Sequence, residues 1–253
     1  MIEAYGRTDV GRRRKINEDS FLVSPETNLY AVCDGMGGHN AGEVASRMAI
    51  EALASFVEKS AVEKEITWPW GIDAALSFDA NRLSTAIKLA NSRVFQAADN
   101  REELTGMGTT VVAAVVSGNR MTVGSAGDSR CYLVRDGRLV QLTRDDSWVS
   151  AALGEGILNS DDVEHHPLRN VITKAVGARD SIEIDTLEHT LQPGDLALLC
   201  SDGLHAMVNE QELARLVVSL PESLEQATAR LIDSANEAGG RDNVTVVLLR
   251  YSG

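Results

Sequence analysis

Five carboxylates stand at the ends of short apolar runs in this chain: Asp34, Asp128 and Asp202 each follow one, while Asp19 and Asp242 each precede one. In an antiparallel sheet the end of one strand and the start of the next share an edge, so this placement predicts that the five carboxylates meet on one rim. The sharpest case is Asp34, where the run Leu29 to Cys33 closes in Asp34-Gly35-Met36-Gly37-Gly38. Glycines let the backbone take φ > 0 and let an ion approach the main chain, which suits an oxygen-ligated hard cation. An isolated Asp-Gly reads as a tight turn whose Asp bonds its own backbone. The repeat of the same arrangement at Cys200-Ser201-Asp202-Gly203 favours a site over a turn.

The rest of the chain supplies the layers around such a rim. Ile2 to Thr8 reads as a first strand, followed by the basic turn Arg12-Arg13-Arg14-Lys15 and then Asn17-Glu18-Asp19 before the apolar stretch Phe21 to Val23. A run of cations is ordinarily a solvated turn, and the acidic pair behind this one raises its interest. Asn40 with Glu43 offers a capping box for a helix carrying Val44, Met48, Ala52 and Phe56, and a second helix carries Leu83, Ile87, Ala90 and Val94. Between them, 63–78 reads as an irregular connection in which Trp68 and Trp70 pack as a staple. From Gly108 the period becomes strand-like over Thr110 to Val116, Met121 to Ser125, Arg130 to Val134 and Leu139 to Leu142, an antiparallel meander interrupted once at Gly127-Asp128-Ser129. A polar, helix-tending excursion runs to Pro167, then strand-forming stretches Asn170 to Val176, Ile182 to Thr190 and Leu196 to Cys200. Two helices follow, through Leu213 and Leu231, before the last strand, Val244 to Leu249.

A single domain over 1–253 is expected, since no Pro/Ser-rich linker divides the chain. Lys and Arg number 24 against 37 Asp and Glu, a net charge of −13, which argues against a nucleic-acid partner. The apolar runs are short and the N-terminus is charged where a signal peptide needs an apolar stretch, so a cytoplasmic protein without membrane association is expected. Cys33, Cys131 and Cys200 lack close spacing and read as buried reduced thiols.

Converging carboxylates repel, and divalent cations relieve that repulsion. With no Cys or His at ligand spacing, the ion should be Mn²⁺ or Mg²⁺ rather than Zn²⁺. Two such ions about 3.5–4 Å apart can activate a water and hold phosphoryl oxygens, which suits phosphoester hydrolysis. Other phosphatase chemistries fail on the sequence. Cys-x5-Arg is absent, because His39, Gly137 and Ala206 stand six places after the cysteines, and neither Asp-x-Asp nor Gly-Lys occurs.

Seven motifs in order carry a resemblance: Arg14-Lys15-Ile16-Asn17-Glu18-Asp19, Asp34-Gly35-Met36-Gly37-Gly38, Gly108-Thr109-Thr110, Ala126-Gly127-Asp128-Ser129-Arg130, the stretch His166 to Thr173, Ser201-Asp202-Gly203 and Arg241-Asp242-Asn243. Over nearly its whole length the chain resembles the metal-dependent protein serine/threonine phosphatases of the PP2C (PPM) family, bacterial type. The resemblance implies an α+β fold, a four-layer α/β/β/α sandwich of two central antiparallel sheets flanked by helix pairs. It implies hydrolysis of phosphoserine and phosphothreonine in proteins by a metal-activated water, reversing a eukaryotic-like Ser/Thr kinase.

By the same resemblance Asp34 bridges two ions, the Gly35 carbonyl binds one, and Asp202 and Asp242 complete the other. Glu18 and Asp19 act mainly through water, Asp128 joins Asp202 at a third, weaker site, and Arg14 clamps the substrate phosphate. Met36 stands where eukaryotic members commonly carry a histidine proposed as general acid; His39 is the candidate substitute. Phosphorylated proteins and a cognate Ser/Thr kinase are the expected partners, the chain is expected to be a monomer, and 146–167 is expected to form a flap over the site. The alternative of another class is a catalytically dead module that binds phosphoproteins or a kinase. Such a module would be expected to have lost one or more of Asp34, Asp202 and Asp242, and all are present.

Overall fold

The computed structural model describes residues 1–38, 41–63, 66–159, 162, 166–218 and 223–253. In chain order the strands are β1 (Ile2–Asp9), β2 (Asp19–Ser24), β3 (Leu29–Met36), the short β4 (Gly108–Thr109), β5 (Val111–Ser117), β6 (Arg120–Ala126), β7 (Arg130–Arg135), β8 (Arg138–Gln141), β9 (Asp185–Thr190), β10 (Leu196–Cys200) and β11 (Val244–Tyr251). The helices are α1 (Ala41–Val62), α2 (Phe78–Asn100), α3 (Trp148–Gly154), the single turn α4 (Asp202–His205), α5 (Glu210–Val218) and α6 (Leu224–Glu237). One sheet has the order β1-β11-β10-β7-β8; the other runs β2-β3-β5-β6-β9, with β4 on the end of β3. Every pairing is antiparallel.

Strand alternation builds the layers, because successive side chains point to opposite faces. On β3, Leu29, Ala31 and Cys33 pack under Leu53 of α1 and Ile87 of α2. Their neighbours Tyr30 and Val32 face the other sheet, meeting Leu199 of β10 and Val247 of β11 in the central core. On β11 the even positions Val246 and Leu248 turn outward to Leu213 of α5 and Leu231 of α6. This is the expected α/β/β/α sandwich. Burial on both faces also explains why the central strands read as unbroken apolar runs.

The meander expected from Thr110 to Leu142 divides between the sheets: β5 and β6 pair in one, β7 and β8 in the other. Gly127-Asp128-Ser129 is the crossing point. Asn170 to Val176 forms no strand, making only isolated bridges, Ser147 with Ile172 and Thr109 with Val176. Its pairing stops at one residue at each place, with the short β4 at Val176 and with Ser147 at Ile172, so no ladder builds up. Of the expected tryptophan staple only Trp68 packs, edge-on to Phe56 at 5.5 Å and to Phe78 at 5.7 Å; Trp70 is 50% exposed. Cys33, Cys131 and Cys200 are buried free thiols. No helix among the described residues is long and apolar enough to cross a membrane.

Candidate metal centre and active site

Strand register brings the acidic residues together. Asp19, the first residue of β2, lies directly opposite Asp34 of β3, and cross-strand partners have Cβ atoms about 4.5–5.5 Å apart. Like charges directly opposite destabilise a sheet, so a fold that keeps this pair must relieve it elsewhere.

Each carboxylate sits on a pinned backbone. The Asp34 N–H donates to Thr110 Oγ1 at 3.0 Å, and its carbonyl accepts from Thr110 N–H and Thr109 Oγ1, each at 2.9 Å. Thr110 Oγ1 also lies 2.7 Å from Ser129 Oγ, which ties β3 to the Asp128 turn. Asp202 opens α4, where a Cβ on Gly203 would run into the Asn243 carbonyl. Only glycine lets the Asp202 turn lie this close to the strand that follows Asp242. Asn243 itself accepts the Glu18 N–H at 2.8 Å through Oδ1 and donates through Nδ2 to the Val10 and Ile16 carbonyls at 3.0 and 2.9 Å. That one side chain therefore fixes the loop bearing Arg14, Glu18 and Asp19 against the loop bearing Asp242.

The electrostatics are those of crowded carboxylates. Asp34 is pushed well above the ordinary aspartate range, first by desolvation and then by the charges of Asp19, Asp202, Asp128 and Asp242. Asp202 is raised by desolvation and by Asp242, against a hydrogen bond from Asp34 that favours its charged form. The charges of Asp34 and Asp202 therefore act on each other across this rim. Asp19 is raised to about 7, chiefly by burial, despite hydrogen bonds to Oδ2 from Thr245 Oγ1 at 2.6 Å and Ser201 Oγ at 2.8 Å. Asp128 is likewise raised to about 7 by burial and by the Asp202 and Asp145 charges. Glu18 is raised by burial, with Arg14 and the Gly42 N–H at the start of α1 working the other way.

Arg14 is the cation at this rim. Its Nη2 is 2.8 Å from Asp242 Oδ2 and its Nη1 3.8 Å from Glu18 Oε2, while the side chain remains 48% exposed. The guanidinium is thus anchored by two carboxylates with much of its surface open to solvent.

Two buried oxygens, Asp19 Oδ1 and Asp202 Oδ1, accept no hydrogen bond. Native structures leave few such atoms, and a cation or its water shell satisfies them. Among the described residues no three acidic, His or Cys side chains are grouped closely enough to hold a metal ion by themselves, and Asp242 pairs with Arg14. Oxygen donors supplied one or two carboxylates at a time fit Mg²⁺ or Mn²⁺, which keep several waters, and not a caged soft metal.

Of the sequence candidates, the structure gathers Arg14, Glu18, Asp19, Asp34 with Gly35, Asp128, Asp202 and Asp242. His39 lies outside the described residues. Sequence reasoning gave no role to Ser201, Thr245, Thr110 or Asn243, which hold the carboxylates; all but Thr245 stood inside the quoted motifs. His205 was also passed over, yet its Nε2 is 3.0 Å from the Asp128 carbonyl, joining α4 to the Asp128 turn. Burial holds its pKa down at about 3, so the ring is neutral.

Comparison with known proteins agrees with this geometry. The family model described as protein phosphatase 2C matches residues 10–238. The chain belongs to the protein phosphatase 2C family. It is therefore an enzyme of the phosphatase class. It is 37% identical over 255 residues to the serine/threonine phosphatase stp of Listeria welshimeri, covering 98% of this chain and 95% of that protein. Among solved structures, the Mycobacterium tuberculosis serine/threonine phosphatase PstP/Ppp superposes with a TM-score of 0.87 at 35% identity, covering 100% of this chain and 99% of that one. The catalytic domain of PstP in complex with two manganese ions gives a TM-score of 0.84 at 34% identity, again over 100% and 99% of the two chains.

Proposed function

We propose that this protein is a Mn²⁺- or Mg²⁺-dependent phosphatase that removes phosphate from phosphoserine and phosphothreonine in proteins, opposing a cognate Ser/Thr kinase. The observation that carries the reading is the cross-strand pair Asp19 and Asp34 beside Asp202, with Asp19 Oδ1 and Asp202 Oδ1 unsatisfied and Arg14 at the rim. Asp34, the Gly35 carbonyl, Asp202 and Asp242 would hold the ions, with Glu18 and Asp19 acting mainly through water. When bound, the ions supply a nucleophilic water at neutral pH and neutralise charge on the phosphoryl oxygens.

The protein's own groups do the rest. Arg14 binds the phosphate with the donors that Asp242 and Glu18 leave free and orients it for in-line attack. Asp19, held by Thr245 and Ser201, offers its bare Oδ1 to the water shell. Asp128 and Asp202 would hold a third ion more weakly, the Asp128 turn being kept in place by the contacts of His205 and Ser129.

The region 146–167, of which 160, 161 and 163–165 lie outside the described residues, acts as a flap within a single catalytic domain. Its base is fastened beside Asp128: the Asp146 N–H donates to the Gly127 carbonyl at 2.8 Å, and Asp146 Oδ2 accepts from the Gly127 N–H at 3.0 Å. Trp148 stacks on His166 with centroids 4.8 Å apart, leaving Leu153 and Ile157 exposed. The protein works as a monomer in the cytoplasm. Phosphate release from a phosphothreonine peptide tests the reading: it should vanish in excess EDTA and return with Mn²⁺ or Mg²⁺ but not with Zn²⁺. Full turnover in EDTA would overturn it.

A further inference from the structure

Arg14 is only one of four consecutive cations, Arg12-Arg13-Arg14-Lys15, and the chemistry above leaves the others without a task. All four are exposed, as is Arg241 on the facing loop. Among the described residues, Arg12, Arg13, Lys15 and Arg241 have no ion-pair partner. In a chain of net charge −13 this is a concentrated positive patch.

The patch stands on a pinned loop. The Arg12 and Arg13 N–H groups both donate to the Gly240 carbonyl, at 2.7 and 3.2 Å. A Cβ on Gly240 would come within 2.7 Å of Arg12 Cγ and 2.9 Å of Arg12 N, so the Arg12 stem lies flat on the loop that leads into Arg241 and Asp242. Asn243 fastens both ends of the basic turn, at Val10 and Ile16. The cations are therefore held in fixed relation to the phosphate clamp. By chain geometry the Cα atoms of Arg12 and Arg13 lie within about 7 Å of that of Arg14, the span of two extended residues.

A phosphorylated residue seated on Arg14 would place its neighbours in an extended substrate over this patch. From this we infer that Arg12 and Arg13, with Lys15 and Arg241 beside them, form a second anion subsite that selects phosphoprotein substrates bearing another negative group within a few residues of the phosphorylated one. That group is a carboxylate or a second phosphate. The inference rests on the phosphatase reading and adds substrate preference to it. The patch offsets the repulsion that an acidic substrate would otherwise meet from the carboxylate rim.

The test uses phosphothreonine peptides of equal length with neutral flanks, with glutamates flanking, or with one flanking phosphoserine, alongside p-nitrophenyl phosphate. Wild-type protein should favour the anionic peptides in kcat/KM by about three- to tenfold at low salt, a preference that shrinks as ionic strength rises. The double variant Arg12→Gln/Arg13→Gln, which keeps the packed stems, should lose the preference while its p-nitrophenyl phosphate turnover stays within about twofold. Arg12→Lys/Arg13→Lys should keep it. A preference for both anionic peptides assigns the subsite to negative charge in general; one confined to the doubly phosphorylated peptide assigns it to a second phosphate. Equal rates on all three peptides, or an undiminished preference in the Gln variant, would overturn the inference. Wild-type protein inert toward p-nitrophenyl phosphate and every peptide would instead overturn the phosphatase reading beneath it.

Discussion

Asp19 and Asp34 are cross-strand partners at the open end of β2 and β3, a buried and a half-buried carboxylate set face to face. Both are held above the ordinary aspartate value of about 3.9, Asp19 at about 7, with desolvation the first cause in each. A folded-state pKa raised above the unfolded one contributes stability at low pH that is lost as pH climbs through the folded value. In EDTA the melting temperature should therefore fall between about pH 4 and pH 7, and Mn²⁺ should restore it most at the upper end. Thermal melts across that range check this; a metal-free melting temperature that rises steadily from pH 4 to 7 would contradict it.

Arg14 is anchored by Asp242 and Glu18 but half open to solvent. As the proposed phosphate clamp, acting in ground and transition states alike, it should affect KM more than kcat when removed. Arg14→Ala should raise KM for p-nitrophenyl phosphate about ten- to hundredfold, the range for a charged hydrogen-bond pair. The same variant frees Asp242 of its counter-charge, so Mn²⁺ affinity should hold or tighten. An unchanged KM would make Arg14 part of a solvated turn.

Shortening the flap between Leu153 and His166 should change the ranking of phosphoprotein substrates while sparing p-nitrophenyl phosphate. The small substrate needs only the rim, whereas a protein must pass the exposed Leu153 and Ile157. Parallel loss on both kinds of substrate would make the segment structural.

Asp128 joins the rim from the crossing point of the two sheets, where burial first and the Asp202 charge next raise its pKa. Few protein ligands mean a weakly held ion. Asp128→Ala should keep the two tight ions yet lower kcat, with partial recovery at high Mn²⁺. Wild-type kcat at saturating substrate would reduce Asp128 to a turn former.

Much of this was legible in the sequence because the relevant signals are local. Unbroken apolar runs marked β3, β5, β10 and β11, helical spacing marked α1 and α2, and the antiparallel-edge argument placed Asp19, Asp34, Asp128, Asp202 and Asp242 on one rim before any coordinates. What escaped is set by partners distant in the chain. Thr245 reaches Asp19 across 226 positions, and no periodicity reports that. The division of the meander at Asp128 depends on which sheet accepts β7, a choice settled by packing on β10 and not by the Gly127 turn. Asn170 to Val176 has strand-like residues but meets its neighbours only at single bridges, Ile172 with Ser147 and Val176 with Thr109, so composition there predicts more order than the fold uses.

The central claim is that Asp34 bridges two divalent ions that turnover requires. Calorimetric titration of metal-free protein with Mn²⁺, run beside p-nitrophenyl phosphate turnover, tests it most directly. Wild-type protein should bind two ions tightly, and Asp34→Asn should lose that binding together with about a hundredfold or more in kcat while remaining folded. Its metal-free melting temperature should rise at pH 7, because one of the facing charges is gone. An Asp34→Asn protein that binds two Mn²⁺ with wild-type affinity and turns over near the wild-type rate would contradict the account.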